Sequence, residues 1–348
     1  MKWMQQVPPL DLAAGEAARV HIDQLTKPTG SLGRLEALAI QLAEITGEPF
    51  PQVSPPGVIV FAGDHGIVKE GVSAYPQEVT AQMVLNFVGG GAAINVFSRQ
   101  IGALLQVVDV GVASDLTAEE VISRKIRYGT GNFLREDAMT REEAAASLEA
   151  GAECASQMIQ QGAKLLILGE MGIGNTTPSS AMLAVLTGEP VDDVVGRGTG
   201  LAEAALLRKK EIIRQAIKSR QADPADPLDV LAKLGGMEIG AMAGAMLQAA
   251  AMRVPILVDG FISTVAALLA VRIEPRIIDF MIVGHQSQEP GHKQALSHLR
   301  KQPLIDLELR LGEGTGAALA FPLVEAATRM LREMATFDSA GIAGKSEL

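Results

Sequence analysis

Leu165-Leu-Ile-Leu-Gly-Glu-Met-Gly-Ile-Gly-Asn-Thr-Thr-Pro-Ser-Ser180 reads as a buried strand that ends in a glycine loop and runs directly into a helix. Four consecutive apolar residues suit a strand covered on both faces. Thr177 is a candidate N-cap hydroxyl and Pro178 fits the first helical position. Backbone N–H groups at such a helix start point beyond the strand end, so the loop is a candidate anion site. Outward from this stretch, apolar runs of strand length recur at 58–62, 106–110, 254–258 and 277–283, each followed by glycine or polar residues and then by a helical pattern. With 164–168 they predict an α/β fold with an open, mainly parallel sheet and helices on both faces.

Ligands of open parallel sheets bind beyond the carboxyl ends of the strands. Those ends carry Gly63-Asp-His-Gly66, Gly111, Gly169-Glu-Met-Gly172, Asp259-Gly260 and Gly284-His-Gln-Ser287. Five strand ends are therefore expected to converge on one ligand. Near the C-terminus, Leu311-Gly-Glu-Gly-Thr-Gly-Ala-Ala318 sets one carboxylate among glycines, just before a helical run over 317–334. Glu313 is the candidate catalytic residue, although a Gly-Glu-Gly taken alone serves equally as a turn with a solvated glutamate. Gly196-Arg-Gly-Thr-Gly200, followed by Arg208, Lys209 and Lys210 on a helix, is either a second wall of the phosphate pocket or a surface turn.

With 348 residues and 48% hydrophobic content, the chain can bury a large core in one elaborated domain or in two. Residues 51–291 are expected to form a large Rossmann-like α/β domain, and 1–50 with 292–348 a small helical domain whose loop carries Glu313 over the strand ends. In the first flank a helix starting near Ser31 would present Leu32, Leu35, Leu38, Ala39, Leu42 and Ile45 on one face. Residues 222–228 read as a linker, Pro322 as a kink or a first turn, and the last dozen residues as frayed. A net charge of -10 without a basic stripe argues against a nucleic-acid partner. The single cysteine allows no internal disulfide, the uncharged stretch 239–252 is too short to span a bilayer and reads as a tightly packed core helix, and no signal-peptide pattern opens the chain. The expectation is a cytoplasmic protein with no membrane contact.

Three other chemistries compete on the residues alone. No Walker loop and no complete dinucleotide fingerprint is present. The acidic pair and glycine loop of 191–200 suggest a phosphoribosyl pyrophosphate site, but Gly188-Glu-Pro stands where that motif has an apolar strand. A metal hydrolase could draw on Asp64, His65, Asp259, His285, Glu289 and His292, yet none of these spacings matches a zinc pattern. No metal and no cofactor is expected.

Taken together, Lys27-Pro-Thr-Gly-Ser-Leu-Gly-Arg-Leu-Glu36, Gly63-Asp-His-Gly66, Gly169-Glu-Met-Gly-Ile-Gly-Asn-Thr-Thr177, Asp259-Gly-Phe-Ile-Ser263, His285-Gln-Ser287 and Leu309-Arg-Leu-Gly-Glu-Gly-Thr-Gly-Ala317 resemble the nicotinate-nucleotide:dimethylbenzimidazole phosphoribosyltransferase family. The likeness runs in order along nearly the whole chain. It implies transfer of 5-phosphoribose from nicotinate mononucleotide to 5,6-dimethylbenzimidazole or a related azole, releasing nicotinate and forming an α-ribazole phosphate for the cobalamin nucleotide loop. It also implies a homodimer with a small helical domain built from both chain ends. By the same resemblance Glu313 falls on the catalytic base and Glu170 on a second glutamate of the nucleotide site. Gly172, Gly198, Lys209 and Ser287 fall on phosphate contacts, Asp259 on a further substrate contact, and the stretch from Tyr75 to Met83 on the base pocket. A pyridinium leaving group is already activated, so such a transfer needs no metal. A non-catalytic azole or nucleotide-binding protein on the same scaffold is the alternative.

Overall fold

The computed structural model of the protein describes residues 4–198 and 200–343. Two helices, α1 (Leu12–Gln24) and α2 (Arg34–Thr46), precede β1 (Pro56–Gly63), and α3 (Val79–Val88) and α4 (Ala93–Gln100) lead to β2 (Leu104–Gly111) and β3 (Val121–Ser123). Next come α5 (Arg141–Gln160), β4 (Leu165–Met171), α6 (Thr176–Thr187), α7 (Val191–Val194), α8 (Glu203–Arg220), α9 (Pro227–Leu234) and α10 (Met237–Ala251). The chain closes with β5 (Ile256–Val258), α11 (Phe261–Ile273), β6 (Met281–Val283), α12 (Pro290–Leu299), α13 (Thr315–Glu333) and α14 (Phe337–Ala340).

All six strands pair in parallel, in the order β3-β2-β1-β4-β5-β6. Successive strand residues point to opposite faces, and here each face meets its own core. Ile59, Phe61, Leu166 and Leu168 enter one core, built with α5, α6, α9, α10 and α11. Val58, Val60, Leu165 and Ile167 enter the other, with α1, α2, α4 and α13. This double burial explains why the strands are apolar along their length. Helix α10, expected from its Ala, Gly and Met content to be a core helix, is buried along nearly all of it. It lies so close to α5 that a Cβ on Gly151 would come within 1.8 Å of the Ala241 carbonyl oxygen. The order of connection reverses between β1 and β4.

Several boundaries differ from the sequence reading. Residues Pro275–Phe280 form a 3-10 helix before β6, because Glu274 caps the Arg276 N–H and Pro275 fixes the first turn. The sixth strand, β3, is a three-residue edge piece with partly exposed side chains and so has no apolar run to announce it. Helix α2 starts at Arg34 rather than near Ser31, since Gly30 and Gly33 take positive φ and carry the chain through a turn that leaves Leu32 exposed. Helix α6 begins at Thr176 after an Asn175 N-cap, so Thr177 and Pro178 sit two positions further in than the cap reading placed them. Within 222–228, Asp226 caps α9 and Pro227 opens it. Of the last dozen residues, Phe337–Ala340 form the short α14 behind the Thr336 cap, while 344–348 lie outside the described residues.

Candidate active site

A cavity of about 460 Å³ opens beyond the carboxyl ends of β4, β5 and β6. Glu170, Gly172, Asn175 and Thr176 line it from the β4 end, Asp259 to Ser263 from the β5 end, and His285, Ser287 and Glu289 from the β6 end. Tyr75, Val79 and Met83 add an apolar wall at α3, Gly198 comes from the glycine loop, and Arg310 to Glu313 come from the segment ahead of α13. The ends of β1 and β2 do not reach it, contrary to the expected convergence of five strand ends. His65 is buried there against Glu238, with Nε2 2.8 Å from Oε1, and the side chain of Met237 occupies the space beside Gly111.

Glu313 is 5% exposed and its Oε2 has no hydrogen-bond partner. Its backbone is left-handed, with φ of 65° between Gly312 at 92° and Gly314 at 88°. For a residue with a side chain such a conformation costs on the order of 1 kcal/mol, so the surroundings must hold it. They do so from three sides. Gly169 lets the loop approach β4, since a Cβ there would lie 2.1 Å from the Glu313 carbonyl oxygen. The Glu313 N–H donates to Glu170 Oε1 at 3.4 Å. The N–H groups of Gly314 and Ala317 donate to Asp259 Oδ2 and Oδ1 at 3.2 and 2.8 Å. Burial raises the Glu313 carboxyl above its ordinary value and the Asp259 charge adds to this, while the Ile94 N–H at the start of α4 opposes it.

Glu170 accepts a hydrogen bond from the Asn175 side-chain amide. Burial pushes its carboxyl up to about 8, with the charges of Glu238 and Asp259 acting in the same direction and the Asn175 and Glu313 donors against it. Glu170 is therefore a neutral acid at pH 7. Ser287 is fixed through its backbone: its N–H donates to His292 Nδ1 at 2.7 Å, leaving the His292 proton on Nε2 toward Thr264 Oγ1 at 3.0 Å. Burial pushes His292 down to about 3, so it is neutral in this role.

Lys209 is completely buried on α8 and does not line the cavity. Its Nζ donates to Thr176 Oγ1 at 2.8 Å and approaches the Gly196 carbonyl oxygen at 3.4 Å, which places the ammonium directly behind Thr176 and the glycine loop. Burial lowers it to about 8 against the pull of Glu289. Among the candidate metal ligands, His65 and His292 are committed to Glu238 and to Ser287 with Thr264. Among the described residues no three His, Cys, Asp or Glu side chains are grouped to hold an ion.

A family model described as phosphoribosyltransferase matches residues 7–342. The chain is 53% identical over 345 residues to the nicotinate-nucleotide–dimethylbenzimidazole phosphoribosyltransferase of Chloroflexus aggregans, covering 99% of this chain and 98% of that one. The chain belongs to that family. The Halalkalibacterium halodurans protein of the same name is 54% identical over 338 residues, 97% of this chain and 95% of its own. The crystal structure of the nicotinate-nucleotide-dimethylbenzimidazole phosphoribosyltransferase from Thermus thermophilus superposes with a TM-score of 0.91 at 46% identity, over 97% of this chain and 100% of that one.

Within this phosphoribosyltransferase fold, eight of the residues singled out from sequence line one cavity: Glu313, Glu170, Gly172, Gly198, Asp259, Ser287, Tyr75 and Met83. Lys209 stands one side chain behind it. Asn175, Thr176 and Arg310 lie inside the quoted motifs without standing out there. Asn175 and Thr176 read as parts of a helix start, and Arg310 as a residue flanking the Glu313 loop. His285 reads from sequence as a strand-end residue facing the ligand and as a candidate metal ligand.

Proposed function

We propose that the protein transfers 5-phosphoribose from nicotinate mononucleotide to 5,6-dimethylbenzimidazole or a related azole, with release of nicotinate and formation of α-ribazole 5′-phosphate for the cobalamin nucleotide loop. One observation carries the mechanism: a buried carboxylate with a free oxygen, Glu313, shares a largely apolar cavity with the N-terminus of α6, behind whose Thr176 stands the buried Lys209 ammonium. The azole occupies the apolar wall of Tyr75, Val79 and Met83. One of its ring nitrogens attacks the anomeric carbon as the pyridinium nitrogen leaves, and the proton on its other nitrogen becomes acidic and passes to Glu313. Burial raises the proton affinity of that carboxylate, which makes it a better base than a solvated glutamate as long as it is ionised.

The phosphate is held at the positive end of α6 by Gly172, Gly198 and Ser287, with Lys209 supplying charge through Thr176. Glu170, neutral below about pH 8, steadies Asn175 and the Glu313 loop and has an O–H to give to a ribose hydroxyl. Residues 1–50 with 292–348 act as a small helical unit that carries Glu313, and 51–291 as the substrate-binding unit. Packing supports this where α1, α2 and α13 lie against one another, whereas α12 packs on α6, α7 and α11 and so goes with the sheet.

The working form is a cytoplasmic homodimer without nucleic-acid or membrane partners. The segment Val79–Gln100 is long and apolar enough on composition to be a membrane-span candidate, but it consists of α3 and α4 separated at Gly89-Gly-Gly91. Its exposed Leu85 and Val96 are apolar side chains available to a second copy.

The test is incubation with nicotinate mononucleotide and 5,6-dimethylbenzimidazole without added metal. Nicotinate is expected only when both are present. Thermal stabilisation by either compound with no nicotinate formed would mark a binding protein instead.

A further inference from the structure

The carboxylate of Asp259 is engaged on two sides by the protein itself. Asp259 directly follows β5, which pairs with β4 on one side and β6 on the other, so its Cα sits at a fixed point of the sheet. Its Oδ2 and Oδ1 accept the N–H groups of Gly314 and Ala317, on either side of the first turn of α13. Those two bonds anchor the exit of the left-handed turn that carries Glu313, at its last residue and three residues on. On the other side of Asp259, His285 Nε2 stands 3.5 Å from Oδ1, and neither ring nitrogen of this 2%-exposed histidine has another partner. The imidazole lies flat on the same helix turn: a Cβ at Gly316 would meet its Cδ2 at 2.0 Å. Sheet end, imidazole and helix start thus close on one another through Asp259.

We propose that Asp259 is a positioning residue, a latch that His285 supports and that fixes the Glu313 loop over the cavity, rather than a contact to the substrate. The resemblance had implied a substrate contact there. A carboxylate accepts from both amides at once. An asparagine offers one oxygen and turns its NH2 toward the second N–H, so the isosteric change unlatches one strand of the loop while conserving volume. The consequence is displacement of Glu313 from its proton, which lowers turnover without loosening the nucleotide.

The inference rests on Glu313 being the base, and a double-mutant cycle separates the two claims. Asp259→Asn alone is expected to lower kcat about 10-fold or more and to leave KM for nicotinate mononucleotide within about threefold. In a Glu313→Gln background the same change is expected to alter kcat by less than about threefold, because the group it positions is already gone. A multiplicative loss in the double variant, or a raised KM for the nucleotide with unchanged kcat, overturns the latch and leaves the base assignment intact. Glu313→Gln turning over like wild type removes the base and the latch together. Should Asp259→Asn fail to fold, His285→Gln is read in the same cycle, with a kcat loss of about 3- to 10-fold that disappears in the Glu313→Gln background.

Discussion

At the scale of single residues, the proposed chemistry rests on two glutamates whose carboxyls burial raises, Glu170 and Glu313. Glu170 holds a proton in the folded state up to about pH 8, whereas an unfolded glutamate releases it near pH 4.3. Between those values the folded protein binds a proton that the unfolded chain does not, so stability falls as pH rises through the window and levels off above it. Glu170→Gln resembles the neutral acid and lacks this dependence. Its Tm relative to wild type should therefore climb between about pH 5 and about pH 8.5, as read by thermal melts; a difference that stays constant with pH contradicts a neutral Glu170. Glu313 must be ionised to act, so kcat/KM should fall as pH drops through its raised value, placing the acid limb above the ordinary glutamate range. An acid limb at or below that range would mean an unshifted carboxylate. The glycines around Glu313 made it visible in the sequence, because only they allow the left-handed turn. Lys209 was harder to place: in the Arg208-Lys-Lys210 run it looks like one more solvated cation, and only the packing of α8 against α6 shows it to be buried.

At the scale of elements, the site depends on where a strand stops and a helix starts. The β4-to-α6 passage was legible because an apolar run, glycines and a helix-starting threonine and proline all agree. The cap stands at Asn175, two positions before the expected Thr177, because Asn175 turns its side chain to Glu170 and leaves the helix end to its backbone. The neglect of β3 and the overextension of β6 have the same origin, in that short edge strands and 3-10 turns bury too few side chains to leave a periodic signal. The ends of β1 and β2 were wrongly added to the site because glycines and a histidine at a strand end look alike whether they meet a ligand or a neighbouring helix. Behind the α6 start, Lys209 Nζ donates to Thr176 Oγ1, and its proposed role is to supply charge to the phosphate end. Lys209→Ala should raise KM for nicotinate mononucleotide about 10-fold or more and leave KM for the azole nearly unchanged, as measured by initial rates. Equal effects on both constants would detach Lys209 from the phosphate.

At the scale of the whole molecule, one sheet with a separate core on each face holds the cavity at the carboxyl ends of β4, β5 and β6. This was readable in advance because the strand runs are apolar on both faces and alternate with helical patterns. The surface available to the proposed second copy was not, since Leu85, 51% exposed, looks like any core leucine in sequence. Sedimentation velocity should report a dimer, and Leu85→Glu should shift it toward monomer; a monomeric wild type would contradict the homodimer. The proposed role of Glu313 is to take the azole proton during phosphoribosyl transfer. It is tested most directly by nicotinate release from Glu313→Gln at saturating substrates. The account predicts a loss of roughly 10²- to 10⁴-fold, and turnover within about threefold of wild type would contradict it.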